Sequence, residues 1–270
     1  MGVVAKIGHN RWFASLADEE PALQIETADV SLIGHREENQ DRVAIAAAEQ
    51  AVLLVVIDGM GGHADGARAA ETALATMLEA FWQTPHPIFD PMTFLHLALG
   101  KAHEEVVKLG VGLGVESRPR ATCAVCLVQE GAAYWAHVGD SRVYQLRQAQ
   151  VLERTRDHSH VEVLLREGLI TEAEVHGHPM RNYVECCLGG DAALPEMSIS
   201  TRRRLKPGDM LLLCTDGLWA NLKDQDLARF AQSAGKPLRE SLADLGTQAV
   251  AASAPYSDNT SAAALRWRAA

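Results

Sequence analysis

Residues Ala51–Ile57 read Ala-Val-Leu-Leu-Val-Val-Ile, seven apolar side chains in succession that end at Asp58-Gly59. Neighbouring residues of a strand point to opposite faces, so a run with no polar member has to be covered on both sides. The preceding run, Arg42–Ala48, is also β-type, and Glu49-Gln50 between the two reads as a hairpin connection. A hairpin buried on both faces requires a layered fold. The apolar fraction, 47% of 270 residues, is enough to build one.

The rest of the chain supplies the layers. Gly66–Trp82 places Ala70, Ala73, Leu74, Met77, Leu78 and Phe81 on one helical stripe. Asp90-Pro91 is an N-cap followed by proline at the first helical position, opening a helix to about Leu109 with Leu95, Ala98, Ala102 and Val106 on its apolar face. Strands are expected at Thr122–Gln129, Ala132–Val138, Arg142–Leu146, Val151–Arg154, Met210–Thr215 and Ala262–Trp267. Further helices are expected at Val161–Glu167, Asp224–Ala234 and Leu238–Ala252. Hairpins interleaved with helix pairs do not fit a doubly wound parallel sheet, which needs strict β-α-β alternation. The reading is an α+β chain in which two antiparallel sheets pack together with helices outside. Residues 1–27 lack a clear period and read as an N-terminal extension; residues 28–270 read as one domain.

Charge narrows the partners. With 35 acidic residues against 25 basic ones the formal net charge is -10, which disfavours nucleic acid as the main partner because phosphate backbones need clustered Lys and Arg. No apolar run is long enough for a transmembrane helix, and the N-terminus has no secretory signal pattern, so a cytoplasmic protein without a membrane partner is expected. Five cysteines at irregular positions make a poor disulfide framework and fit a reducing compartment. Cys123 and Cys126 have zinc-like spacing, but on a strand they would point to opposite faces.

The chemistry is carried by aspartates at strand ends. Val55-Val56-Ile57 runs into Asp58-Gly59, Ala136-His137-Val138 into Gly139-Asp140, and Leu212-Leu213-Cys214-Thr215 into Asp216-Gly217. Asp258-Asn259 precedes the last strand, and Asn39-Gln40-Asp41 precedes the first hairpin. Asp, Asn and Gly terminate strands in any protein, and each site taken singly has that reading. Five at the mouths of the most apolar strands point instead to a shared site, because clustered carboxylates repel unless cations neutralise them. An all-oxygen donor set selects hard cations, Mg²⁺ or Mn²⁺, over zinc.

These segments are, in order, Arg36-Glu37-Glu38-Asn39-Gln40-Asp41, Asp58-Gly59-Met60-Gly61-Gly62-His63, Gly139-Asp140-Ser141-Arg142-Val143-Tyr144, Thr215-Asp216-Gly217-Leu218 and Asp258-Asn259-Thr260. In residues and order, from about Ala28 to Trp267, the chain resembles the PPM/PP2C metal-dependent protein phosphatases in their bacterial form. The resemblance implies an α-β-β-α sandwich with a binuclear metal centre at one end of the sheets. Asp58 would bridge the two ions, the Gly59 carbonyl would bind one, and Asp216 and Asp258 the other. Asp41 would hold metal-bound waters and Arg36 the substrate phosphate, a task suited to a planar, permanently charged guanidinium. The metals would lower the pKa of a bridging water for in-line attack on phosphorus, with Arg36, Asp41 and Asp58 as the catalytic set. No cysteine or serine nucleophile is required, and Ser141 reads as a turn residue.

The implied partners are phosphorylated proteins, in particular a Ser/Thr kinase or its substrates, met by a monomer. The alternative is a pseudophosphatase that binds phosphoproteins without turnover; a hydrolase of small phosphate esters is a third reading. Met60 stands where eukaryotic members carry a histidine proposed as general acid, so the leaving-group acid is not named. Ala121 replaces a glycine the family usually has, which would make the backbone there less permissive. Ala220 lies where many relatives have an aspartate that helps bind a third ion, so Asp140 is the candidate ligand of a third site that would be weak. The segment from Asp157 to Asp191 resembles the family's flap. The glycines at 59, 61 and 62 lack a G-K-[ST] or G-x-G-x-x-G context for a nucleotide loop. His63 reads as a packing residue, and His158, His160, His176 and His178 as flap-packing histidines rather than zinc ligands.

Overall fold

The computed structural model describes residues 25–60, 64–175, 177–232 and 235–268. In chain order the first strands are β1 (Ile25–Leu32), β2 (Arg42–Ala47), β3 (Ala51–Ile57) and β4 (Gly59–Met60), followed by helices α1 (Ala64–Gln83) and α2 (Pro91–Leu109). Then come β5 (Arg120–Ala121), β6 (Cys123–Gln129), β7 (Ala132–Val138), β8 (Arg142–Arg147) and β9 (Gln150–Arg154). Short elements follow: α3 (His160–Arg166), α4 (Glu172–Val175), β10 (Leu188–Gly189), β11 (Ser198–Ile199) and β12 (Arg203–Arg204). The chain closes with β13 (Met210–Cys214), α5 (Asp216–Trp219), α6 (Asp224–Phe230), α7 (Leu238–Ala252) and β14 (Thr260–Trp267).

Two antiparallel sheets, β1-β14-β13-β8-β9 and β11-β7-β6-β3-β2, form the centre of the molecule. Three apolar clusters define the layers. Leu53, Val55 and Ile57 of β3 pack with Ala73, Met77 and Phe81 of α1 and Leu95, Leu99 and Val106 of α2. Val52, Leu54 and Val56, on the opposite face of β3, pack against Leu211, Leu213, Ala263 and Leu265 of the other sheet. Leu212, Ala262 and Ala264 turn outward onto Leu227, Leu238, Leu242 and Leu245 of α6 and α7. The result is the expected α-β-β-α sandwich. All seven β3 side chains are buried, as a strand covered on both faces must be. Cys123 packs on the helix side and Cys126 between the sheets, so the pair faces opposite ways.

Local chemistry explains several boundaries. Asp90 caps α2 by accepting from Thr93 N at 3.1 Å, with Pro91 next to it. The β2–β3 hairpin pairs Ala47 with Val52 across the connection at Glu49-Gln50. The expected helix ending at Ala234 stops at Phe230, and β14 starts at Thr260 rather than Ala262. Besides the two-residue strands β4, β5, β10, β11 and β12, one long strand departs from the sequence expectations: β1 begins at Ile25, inside the expected extension, and pairs along its full length with β14. The rest of that segment, residues 1–24, lies outside the described residues, as do Gly61, Gly62, His63 and His176.

Candidate metal centre

Strand register gathers the motif aspartates at one end of the sandwich. Arg42, which follows Asp41, pairs with Ile57, which precedes Asp58. Cys214 pairs with both Arg142 and Ala262, so Asp216, the Asp140 turn and Asp258 leave their strands at one edge. Leu32 pairs with Thr260 and brings the Arg36 loop to the same place.

That loop is held by one side chain. Asn259 accepts from Gln40 N at 2.8 Å and donates through Nδ2 to the carbonyls of Ile33 (2.9 Å) and Glu38 (3.0 Å). The Asp41 carboxylate accepts from Thr215 Oγ1 at 2.9 Å, linking the two sheets. Asp258 accepts from Asn259 N at 2.8 Å and from Arg36 Nη2 at 2.6 Å. Asp58 is fixed through its backbone, its carbonyl accepting from Thr122 N at 2.8 Å. The Thr122 hydroxyl lies 2.7 Å from that of Ser141, so Ser141 joins the Asp140 turn to the strand beside Asp58.

The glycines of the two Asp-Gly pairs are needed for close approach. A Cβ on Gly59 would fall 2.2 Å from the Gly66 carbonyl oxygen, and one on Gly217 would fall 2.0 Å from that of Asn259. Gly59 also belongs to a small sheet, β4-β5-β10. There Ala121 pairs with Gly59 on one side and Leu188 on the other, so its methyl group is accommodated without a glycine. Gly189 N donates to His103 Nδ1 of α2 at 3.1 Å, which anchors the far end of the segment that begins at Asp157.

Electrostatics mark this end of the molecule. Burial raises the Asp58 carboxyl well above the ordinary range, and Asp41, Asp216, Asp140 and Asp258 raise it further. Asp140 is raised well above its usual value by burial and by Asp216 and Asp157. Asp41 is pushed up to about 7 by burial, against hydrogen bonds from Thr215 and Ser261 that favour its charged form. Asp216 is pushed up to about 6 by burial and by Asp258. Carboxylates held against their own repulsion are relieved when a cation offsets their charge.

The donor set fits hard divalent ions. Among the described residues no group of three or more His, Cys, Asp or Glu side chains is arranged to hold a metal ion by itself. Magnesium-type sites need none, since such ions keep several waters and take one or two carboxylates each. A zinc site in the histidine-bearing segment is not formed by the described residues: His158 engages Ser198 Oγ at 2.8 Å, and His160 engages Glu185 at 2.9 Å.

The profile of the family described as "Protein phosphatase 2C" matches residues 30–254. The chain belongs to the protein phosphatase 2C family. It is 31% identical over 198 residues to the serine/threonine protein phosphatase PstP of Mycobacterium tuberculosis, a match covering 73% of this chain and 37% of that protein. The matched stretch is thus little more than a third of that relative's length. Among solved structures, the S. agalactiae serine/threonine phosphatase superposes with a TM-score of 0.82 at 26% identity, over 91% of this chain and 100% of that one. A PstP catalytic domain in complex with 2 manganese ions superposes with a TM-score of 0.73 at 26% identity, over 91% and 99%. Membership of the protein phosphatase 2C family supports dependence on a divalent metal.

The sequence reading missed the residues that act through others. Asn259 and Thr215 sit inside recognised motifs, and their bonding to carboxylates and carbonyls was the available signal. Asp157, which grips Arg142 through two hydrogen bonds of 2.7 Å, gave none beyond its charge. Among the described residues no helix is long and apolar enough to cross a membrane.

Proposed function

We propose that this protein hydrolyses phosphoserine and phosphothreonine in proteins, using divalent ions held by Asp58, the Gly59 carbonyl, Asp216 and Asp258. One observation supports the reading: strand register brings five aspartates of both sheets to one end of the sandwich, where Asp41, Asp140, Asp216 and Asp258 all raise the Asp58 carboxyl, and the exposed Arg36 pairs with Asp258. Bound Mn²⁺ or Mg²⁺ would supply Lewis acidity and a water of lowered pKa. The protein's own groups do the rest. Asp58, at the end of β3, would be shared by the two ions. Asp41, held by Thr215, would orient water by accepting its proton in a hydrogen bond. Arg36 takes the phosphoryl oxygens, offsetting charge that grows there in the transition state. Two ions are the number we assign, with Asp140 as ligand of a weaker third, since Ala220 offers no carboxylate.

The substrates we assign are phosphorylated proteins, with a Ser/Thr kinase or its targets as the opposing partner. A monomeric, cytoplasmic enzyme, with residues 28–270 as its catalytic domain, completes the proposal. Five cysteines without disulfides support the reducing setting. Retention of Arg36 and all five aspartates argues against a pseudophosphatase. The deciding experiment is Mn²⁺-dependent dephosphorylation of a phosphothreonine peptide, with Asp58→Asn and Asp216→Asn as controls. Turnover by the parent that EDTA abolishes and both variants lack is the expected result. No turnover, or turnover indifferent to EDTA, overturns it.

A further inference from the structure

Asp216 and Asp140 belong to short pieces of backbone that cannot hold themselves. Asp216 opens α5, a helix of 4 residues, well below the length at which a helix is stable alone. Asp140 lies in the turn between β7 and β8, where the chain crosses from one sheet to the other. Trp219, the last residue of α5, joins the two. Its indole Nε1 donates to the Asp140 carbonyl at 3.0 Å. The Arg142 guanidinium lies over its ring, 3.3 Å from the centroid, and is itself fixed by the bidentate pair with Asp157 and by Tyr144 Oη at 3.1 Å. Arg142 and Asp157 are nearly buried, with 12% and 8% of their side chains exposed, so the stack has little freedom to slide. The indole therefore ties the backbone of the Asp140 turn to the helix that Asp216 opens.

We propose that Trp219 is a positioning residue that sets the distance between the Asp216 helix and the Asp140 turn, and through it the affinity of the weaker third ion assigned above to Asp140. The proposal rests on the metal-dependent reading above and concerns a residue that touches neither ion nor substrate. Residues one step removed from a metal typically change its affinity when altered, while leaving the chemistry of the loaded site in place. Here the link is one hydrogen bond to a carbonyl, so the expected loss is about three- to tenfold in affinity.

The test is Mn²⁺ titration by calorimetry and by electron paramagnetic resonance of free Mn²⁺, on the parent and on Trp219→Phe. Phenylalanine keeps an aromatic face for Arg142 and deletes the donor. A second variant, with β-(3-benzothienyl)alanine at position 219, keeps the indole's shape and lacks only the N–H, which guards against poor folding of the first. The expected result is a three- to tenfold weaker Mn²⁺ step in both, with kcat at saturating Mn²⁺ within about twofold of the parent and peptide KM unchanged. Unaltered Mn²⁺ binding in both variants overturns the proposal, even if their melting temperatures fall, because a purely structural tryptophan would give that pattern. Parent protein that binds no Mn²⁺ overturns the functional reading and this proposal together. Normal Mn²⁺ binding and turnover by the parent leave that reading standing whichever way the variants behave.

Discussion

Arg36 Nη2 stands 2.6 Å from Asp258 Oδ2, so the group proposed to take the phosphate is ion-paired with a group proposed to take a metal. Both side chains are substantially exposed, at 57% and 41%, and an exposed pair adds at most about 1 kcal/mol to stability. The pair is therefore a functional arrangement more than a structural one. Arg36→Ala should lower kcat/KM on a phosphothreonine peptide by about 10- to 100-fold, the worth of a charge-assisted hydrogen bond. Arg36→Lys should recover part of that, since it restores charge without the planar fork. Thermal melts should change little in either. Unchanged kcat/KM in Arg36→Ala would remove Arg36 from the phosphate site.

Removing a carboxylate should separate stability from function. Asp58 is raised well above the ordinary range, so at neutral pH its ionisation opposes folding whenever no cation offsets it. The sign is that of a raised acid: the cost is absent below the unfolded pKa, grows as pH rises from the unfolded towards the folded value, and is complete above the folded one. In EDTA at pH 7, Asp58→Asn should melt at or above the parent's temperature. Adding Mn²⁺ at about 100 times its Kd should stabilise the parent by about 2.7 kcal/mol and the variant far less. A variant less stable than the parent in EDTA would show that Asp58 is not under repulsive load.

His137 predicts an acid-side loss of stability. Its Nε2 donates to the Arg156 carbonyl at 2.7 Å, and its ring stacks on His158 at 4.5 Å. Nδ1 is buried without a partner, so there is no place for a second proton. Burial and the neighbouring His158 lower its pKa from 6.5 to about 4. Between those values the unfolded chain binds a proton that the native state refuses, so this contribution to stability falls as pH drops through that window. The full effect is about 3 kcal/mol and is complete below the folded value. His137→Gln, which keeps a donor for Arg156 and cannot titrate, should lack the slope. Chemical denaturation of both proteins at several pH values in EDTA isolates it by difference. Parallel curves would refute the assignment.

The glycine contacts make a contrast within one residue type. Gly59→Ala should cost about 1–3 kcal/mol or more, because the rigid Gly66 carbonyl lies 2.2 Å from the new methyl carbon. Gly114→Ala meets nothing within 4 Å at a φ of -60°, and should be neutral or slightly stabilising. Urea melts of the two variants check it, and equal midpoints would deny that the Asp-Gly turn is tightly packed.

The sequence was most legible where burial is continuous. β3, β6 and β13 carry unbroken apolar runs, and each was read within a residue or two of its bounds. β1 carries a different signal, Ala28, Val30 and Leu32 alternating with the exposed Thr27, Asp29 and Ser31, which marks a half-buried edge strand and lacks the continuous apolar run that made the others conspicuous. The aspartates were legible because strand ends and motif order both mark them. Asn259 and Trp219 were not, since each works by reaching a carbonyl that sequence distance hides: Asn259 bonds Ile33 across 226 positions, and Trp219 bonds Asp140 across 79.

β14 lies between β1 and β13, so it occupies a place inside its sheet rather than at the rim. Asp258 and Asn259 immediately precede it and complete the Arg36 loop. The proposed ligand Asp258 and the Asn259 clamp of the arginine loop therefore share one mechanical support, and fraying of β14 would unseat both at once.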